Sequence, residues 1–309
     1  MARQRIWTIM AVALSGLAGC AAPPPPATTL LGVSSPLGDG NVSTYAEVDA
    51  SGAPKAIGVM FTAAALQNLP PGSDRHQCFD LNGDKKIDPA TECIPSHERV
   101  LPLPSDVARR ADTPFKWAMV NWNPQGHIPP GVYDVAHFDV HFMIEPIESI
   151  FSIGAGPCGP EHVRCDQFAI ARTPLPANYV PASHIDVGAV VPAMGNHLVN
   201  VTGPEFKGEK FKRSWIFGAY DGRVTFYEEM LTRDYMLSRP SECAPIPQPD
   251  AVAVSGYYPT QSCVRYIPAK DAYTVSLEGF AMRQASPPGP PRAVPPLPPG
   301  PKPAGHRHG

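Results

Sequence analysis

Apolar residues recur along this chain in short stretches of period two or in brief unbroken runs, each stopped by Pro, Gly or Asn. Such runs lie at 57–63, 116–121, 132–144, 187–191, 213–220, 223–231 and 271–282. Runs of this length predict β-strands. Trp215 to Tyr220 and Arg223 to Met230 flank Asp221-Gly222, the signature of a hairpin with a two-residue turn. Short helices are expected around Ser105–Arg110 and Pro146–Ile150. No internal repeat is apparent. The pattern predicts a mainly β chain: a single β-sandwich or β-barrel domain over about residues 37–285, with long loops and few short helices.

Composition strengthens this picture. Of the 309 residues 40 are proline, and fourteen of these sit in two runs, Pro23–Pro26 and between Pro287 and Pro303. Proline removes a backbone donor and fixes φ, so an all-helical fold is excluded. A hydrophobic content of 43% with 17% charged residues excludes a wholly disordered chain. All 28 acidic residues, but only 20 of the 25 basic ones, fall between residue 37 and residue 285. A net-acidic core without a basic cluster argues against a nucleic-acid partner.

The ends carry different information. Arg3 and Arg5 precede an apolar stretch and then Leu17-Ala18-Gly19-Cys20. This is the layout of an export signal over residues 1–19, too short to be a membrane span. Leu-Ala-Gly-Cys resembles the lipobox of bacterial lipoproteins. The resemblance implies that Cys20 is lipidated and becomes the N-terminus, and that the acyl chains hold the protein on the membrane. With Ala21 rather than Asp after the cysteine, it also implies the outer membrane of the cell envelope, where other envelope components are possible partners. Residues 20–36 are expected to be a Pro-rich tether. Residues 286–309, ending in His306-Arg307-His308, are expected to be a disordered Pro/Gly tail.

Six further cysteines remain in an exported chain, an even number that suggests disulfides. They fall as neighbours, which predicts Cys78–Cys93, Cys158–Cys165 and Cys243–Cys263. Each would contribute about 2–4 kcal/mol by constraining the unfolded chain.

Inside the first pair lies Asp80-Leu-Asn82-Gly-Asp84-Lys-Lys86-Ile-Asp88, with Glu92 four residues on. Alternating short oxygen side chains resemble the EF-hand and dockerin pattern, in which they wrap Ca²⁺. Asp80, Asn82, Asp84, the Lys86 carbonyl, Asp88 and Glu92 are the candidate ligands, and Ile87 the inward anchor. Lys85 stands where the pattern wants glycine, and the acid of the last position falls one place late.

The segment with most chemistry is His137-Phe-Asp139-Val-His141-Phe-Met-Ile. In a strand, side chains alternate between faces. One face carries His137, Asp139, His141 and Met143, the other Phe138, Val140, Phe142 and Ile144. Imidazole and carboxylate together suit Zn, Mn, Fe or Cu. Further candidates are His197, just after a glycine turn, and His127, in the loop entering the strand. Glu228 belongs with them because it shares a strand face with Val224, Phe226 and Met230, and a buried carboxylate needs a partner or a metal. Glu229, beside Thr225 and Tyr227, reads as an ordinary surface residue. The rival to a metal site is a hydrogen-bonded polar cluster of the same residues.

Tyr133 to Phe142, above all His-Phe-Asp-Val-His-Phe, resembles the hallmark of a bacterial envelope family of unknown function, the TTHB-type domain. Met194-Gly195-Asn196-His197 and Glu228-Glu229-Met230 are similar to its later motifs, in the same order. The resemblance spans roughly residues 55–240 and implies an exported β-rich domain, but no reaction. A looser likeness is to the cupin barrel, whose first motif also places a histidine six residues after a glycine, as His137 follows Gly131. Asp139 stands where cupins have their second histidine. Two functions follow as expectations: a membrane-anchored envelope lipoprotein that binds a metal or small ligand, or a metal-dependent enzyme with a cupin-like site.

Overall fold

The computed structural model describes residues 27–72, 78–88, 92–94, 96–159 and 162–296. The export signal, Cys20 and the terminal histidines lie outside the described residues. In chain order the strands are β1 (Thr28–Leu37), β2 (Gly40–Val48), β3 (Pro54–Thr62), β4 (His97–Pro102), β5 (Trp117–Asn123), β6 (His137–Met143), β7 (Ala155–Cys158) and β8 (His184–Val191). They continue with β9 (Gly195–Asn200), β10 (Arg213–Tyr220), β11 (Arg223–Thr232), β12 (Ser241–Pro245), β13 (Gly256–Tyr258), β14 (Gln261–Ile267), β15 (Ala272–Glu278) and β16 (Ala281–Arg283). Four short helices are α1 (Ser105–Ala108), α2 (Ile147–Phe151), α3 (Cys165–Ala171) and α4 (Arg233–Leu237).

Two antiparallel sheets face each other. The first has six strands in the order β1-β2-β3-β15-β14-β12, the second seven in the order β4-β5-β6-β11-β10-β9-β8. Neither closes on itself, so the sandwich expectation holds and the barrel one does not; the cupin comparison loses its fold. Between the sheets Val42, Ile57, Val59 and Phe61 meet Val120, Phe138, Val140, Phe142 and Phe217 in one apolar core. Each such side chain contributes about 1.5–3 kcal/mol by leaving water.

The second sheet is buried on its outer face as well. Loops carrying Tyr133, Ile150, Ile153, Val163, Met194 and Phe211 pack over Met119, Met143, Phe226 and Met230. All seven residues of β6 are therefore buried, and the polar face of this strand is covered rather than open to the surface.

The three disulfides join Cys78–Cys93, Cys158–Cys165 and Cys243–Cys263 as the spacing predicts. They point to an oxidising, exported environment. Among the described residues no helix is long and apolar enough to cross a membrane. Tyr220 and Arg223 close the β10–β11 hairpin. Asp221 and Gly222 both take positive φ there, 50° and 70°, as a type I′ turn requires.

Several boundaries differ from expectation. The tether expected over 20–36 ends by Thr28, where β1 begins and pairs with β2. Its Thr-Thr-Leu-Leu start needed only a partner strand. The tail expected from 286 packs as far as described: Arg292 N–H donates to Leu175 and Ala177 N–H to Pro290, because an extended proline segment still offers carbonyls. The run at 132–144 becomes strand only from His137, since residues 132–136 turn over the outer face. Val224 leaves the face of Phe226 and joins the sandwich core. A bulge at Thr225, where Gly218 pairs with Phe226 but Ala219 with Val224, resets the alternation.

Candidate metal centres

β6 lies between β5 and β11, and its register sets the site. His141 stands opposite Glu228, Asp139 opposite Met230 and His137 opposite Thr232. On the other flank Asn121 faces Asp139 and Asn123 faces His137. β9 brings His197 onto the same outer face through β10, where it pairs with Gly218. A Cβ on Gly218 would lie 2.1 Å from the Phe226 ring. Glycine there lets that ring settle between His141 and His197, its centroid 4.8 and 5.0 Å from theirs.

All six predicted residues come together, but as two groups. The first is His141, His197 and Glu228; the second is His127, His137 and Asp139. In the first, Nε2 of His141 is 3.4 Å from Nε2 of His197 and 3.5 Å from Oε1 of Glu228. Nε2 of His197 is 3.8 Å from Oε2. In the second, Asp139 Oδ1 is 3.2 Å from Nε2 of His137 and Oδ2 is 3.4 Å from Nε2 of His127. Ligands about 2.0–2.1 Å from a tetrahedral metal stand about 3.4 Å apart. The nearest donor pairs in both groups fall near that spacing, and each whole triad lies within 4.8 Å.

Three imidazoles are oriented by backbone. His197 Nδ1–H donates to Ala189 (3.0 Å), His137 Nδ1–H to Val135 (2.6 Å) and His127 Nδ1–H to Ile128 (2.8 Å). A carbonyl only accepts, so the proton sits on Nδ1 and Nε2 turns to the cluster. That is how metal-binding histidines are held.

Burial sets the charges. It pushes Glu228 well above the ordinary carboxylate range, with Asp139 and Glu229 adding repulsion. Burial and then His197 lower His141 to about 3; burial and then His127 lower His197 to about 4. Asp139 goes the other way: burial would raise it, but the charges of His137 and His127 hold it well below the usual range. Among the described residues, neither buried oxygen of Glu228 has a hydrogen-bond partner.

A cavity opens between the groups, lined by Asp139, His127 and His197 with Asn121, Ser96 and Met194. It leaves about 40 Å³ open to the centres of water-sized molecules. Tyr133 also lines it, held by Ser214, which in turn donates to Glu205 at 2.6 Å. The asparagines were not among the sequence candidates, although Asn121-Trp-Asn123 carries the same period-two polarity as His-Asp-His. Asn123 Nδ2 donates to Asp139 Oδ2 at 2.6 Å.

Two expectations fail here. Glu229 is buried in the sandwich: Arg213 grips it at 2.8 and 2.9 Å and Ser262 at 2.6 Å, so a partner on the facing sheet made an inward carboxylate tolerable. Ile87 does not anchor the acidic loop but is 45% exposed. That loop is held by its own amides instead. Asp80 accepts from Gly83 and Lys85, Asn82 from Asp84, and Asp84 from Lys86. Glu92 accepts from Leu81, Asn82 and Asp88. A third group of donors, Cys243, Cys263 and Glu278, is no metal site, since its sulfurs are spent in a disulfide.

Compared with protein-family models, curated proteins and solved structures, the chain matches none of them.

Proposed function

We propose that this protein is an exported, lipid-anchored metal-binding protein of the cell envelope, with His141, His197 and Glu228 as its metal centre. The observation that carries the reading is Glu228. A fully buried carboxylate with no donor to either oxygen costs several kcal/mol when ionised. A cation placed between it and two neutral imidazoles removes that cost. Two histidines and a glutamate suit Zn²⁺ first; Mn, Fe and Cu accept the same donors.

The anchor rests on the Leu-Ala-Gly-Cys20 signature, and the three disulfides agree with export. Absence of Asp after Cys20 favours the outer membrane. The His-Phe-Asp-Val-His-Phe motif supports membership of the TTHB-type envelope family. For the loop at 80–92 the same reading assigns Ca²⁺, supported by the side-chain-to-amide turns that already curl it.

A metal-dependent enzyme is the second reading. The cavity beside His197 favours it, because three protein ligands leave a coordination position for water or substrate. Co²⁺ titration of chelator-stripped protein tests both. An intense tetrahedral cobalt spectrum, diminished in Glu228→Gln, is expected. No uptake by the wild type, and no transition metal in protein purified without chelator, would sink the metal reading. A cobalt spectrum that shifts with azide marks an open position and favours the enzyme.

A further inference from the structure

Building on that reading, we propose that the protein holds a second divalent transition-metal ion, bound by His127, His137 and Asp139, across the cavity from the first.

Distance separates the two positions. The donor atoms gather as two separate triads, His127, His137 and Asp139 in one and His141, His197 and Glu228 in the other. Ligand atoms on one ion are at most about 4.2 Å apart when each bond is about 2.1 Å. Each triad gathers within 4.8 Å, and among the described residues no group gathered at that limit takes members from both. One ion does not serve both.

The second triad turns its donors to one point. His137 Nδ1–H is committed to Val135, so Nε2 is the ring nitrogen turned to the cluster. That Nε2 and Asp139 Oδ1 approach to 3.2 Å, yet both are buried without a hydrogen-bond partner. A ring nitrogen and a carboxylate oxygen turned to one point without a well-aligned hydrogen bond are what a cation between them would satisfy. Asn123 fixes the other carboxylate oxygen at 2.6 Å, as outer partners of metal ligands do. His127 completes the set from the loop after β5, its Nδ1–H on Ile128.

The cavity supplies what the two ions would share. Asp139 and His127 line it from one triad and His197 from the other. Both amide atoms of Asn121, and Ser96 Oγ, are buried there without partners among the described residues. A water needs about 10–15 Å³ of such space, so the 40 Å³ present holds about three waters or one small oxyanion.

The test is stoichiometry by Zn²⁺ calorimetry and elemental analysis on the full mature chain. His306→Ala/His308→Ala serves as background, so that the tail contributes no ion. Two ions per chain are expected, one in Glu228→Gln, one in Asp139→Asn, and none in the double variant. One ion per chain in the background protein overturns the second site and leaves the first standing. None overturns both. A single ion lost equally in either variant shows one centre ligated by both triads, which also overturns the inference. Should Asp139→Asn fail to fold by circular dichroism, His137→Gln replaces it, and the background count decides regardless.

Discussion

Glu228 and Glu229 are adjacent in β11, equally buried, and point to opposite faces of one sheet. Glu229 faces the sandwich, where Arg213 grips both its oxygens and Ser262 adds a third bond. Glu228 faces the loop-covered side, where neither oxygen has a donor. The fold is thus able to satisfy a buried carboxylate fully and does so one residue away. A carboxylate left bare beside two neutral imidazoles answers to something other than folding. The difference separates a group kept for stability from one kept for binding.

The largest effect should come from the satisfied partner. Glu229→Gln leaves the largely buried Arg213 with only the exposed Glu242, 3.7 Å away, as counter-charge, which costs about 3 kcal/mol. Urea unfolding in chelator should show it, while the folded fraction still takes up cobalt as wild type does. Lost cobalt uptake with unchanged stability would erase the contrast.

Glu228→Gln should do the reverse. Cobalt affinity at the first site should fall about 100-fold, near 2.7 kcal/mol. The metal-free fold should be as stable as wild type or more so, with a sign set by pH. Glu228 is raised above its unfolded value, so its neutral form favours folding below the ordinary carboxylate pKa. That contribution is lost as pH rises through the raised value. Metal-free wild type should therefore weaken with rising pH relative to Glu228→Gln. Metal uptake should release a proton in wild type only, measurable as buffer-dependent calorimetric heat. Equal heats in two buffers would mean Glu228 is already ionised.

How much of this the sequence discloses depends on which interactions are local. Alternation along β6 is by itself enough to place His137, Asp139 and His141 on one face. It says nothing of what covers that face, because the covering loops come from residues 124–136 and 144–212. Glu228 was legible from its apolar neighbours. Glu229 was not, since Arg213 lies across a hairpin and Ser262 on another sheet. The Thr225 bulge moved Val224 for a reason no period-two count contains. The disulfides were legible because each closes a short loop, and β1 was not because its partner alone makes it a strand.

Within the second triad, Asn123→Ala should weaken the ion at His127, His137 and Asp139 about 10–100-fold, or about 1.4–2.7 kcal/mol. It removes the amide that holds Asp139 Oδ2 at 2.6 Å. The first site, which Asn123 does not touch, should keep its affinity. Equal weakening at both sites would mean the triads act as one centre and would blunt the distinction between them.

The smallest effect should come from carboxylates that are satisfied yet exposed. Asp80, Asp84 and Asp88 lie in water, and Asp80 and Asp84 already accept loop amides. A cation there relieves little desolvation, so affinity rests on wrapping alone and falls in the millimolar range of extracellular calcium modules. Calcium at ten times such a dissociation constant adds about 1.4 kcal/mol, a shift of a few degrees in melting temperature for a chain of this size. Wild type should show that shift and Asp80→Ala should not, with cobalt uptake at the histidine sites the same in both. Equal shifts in the two would take calcium away from the loop. A shift several times larger would mean that an exposed carboxylate can bind as tightly as a bare buried one, and the lesson drawn from Glu228 would fail.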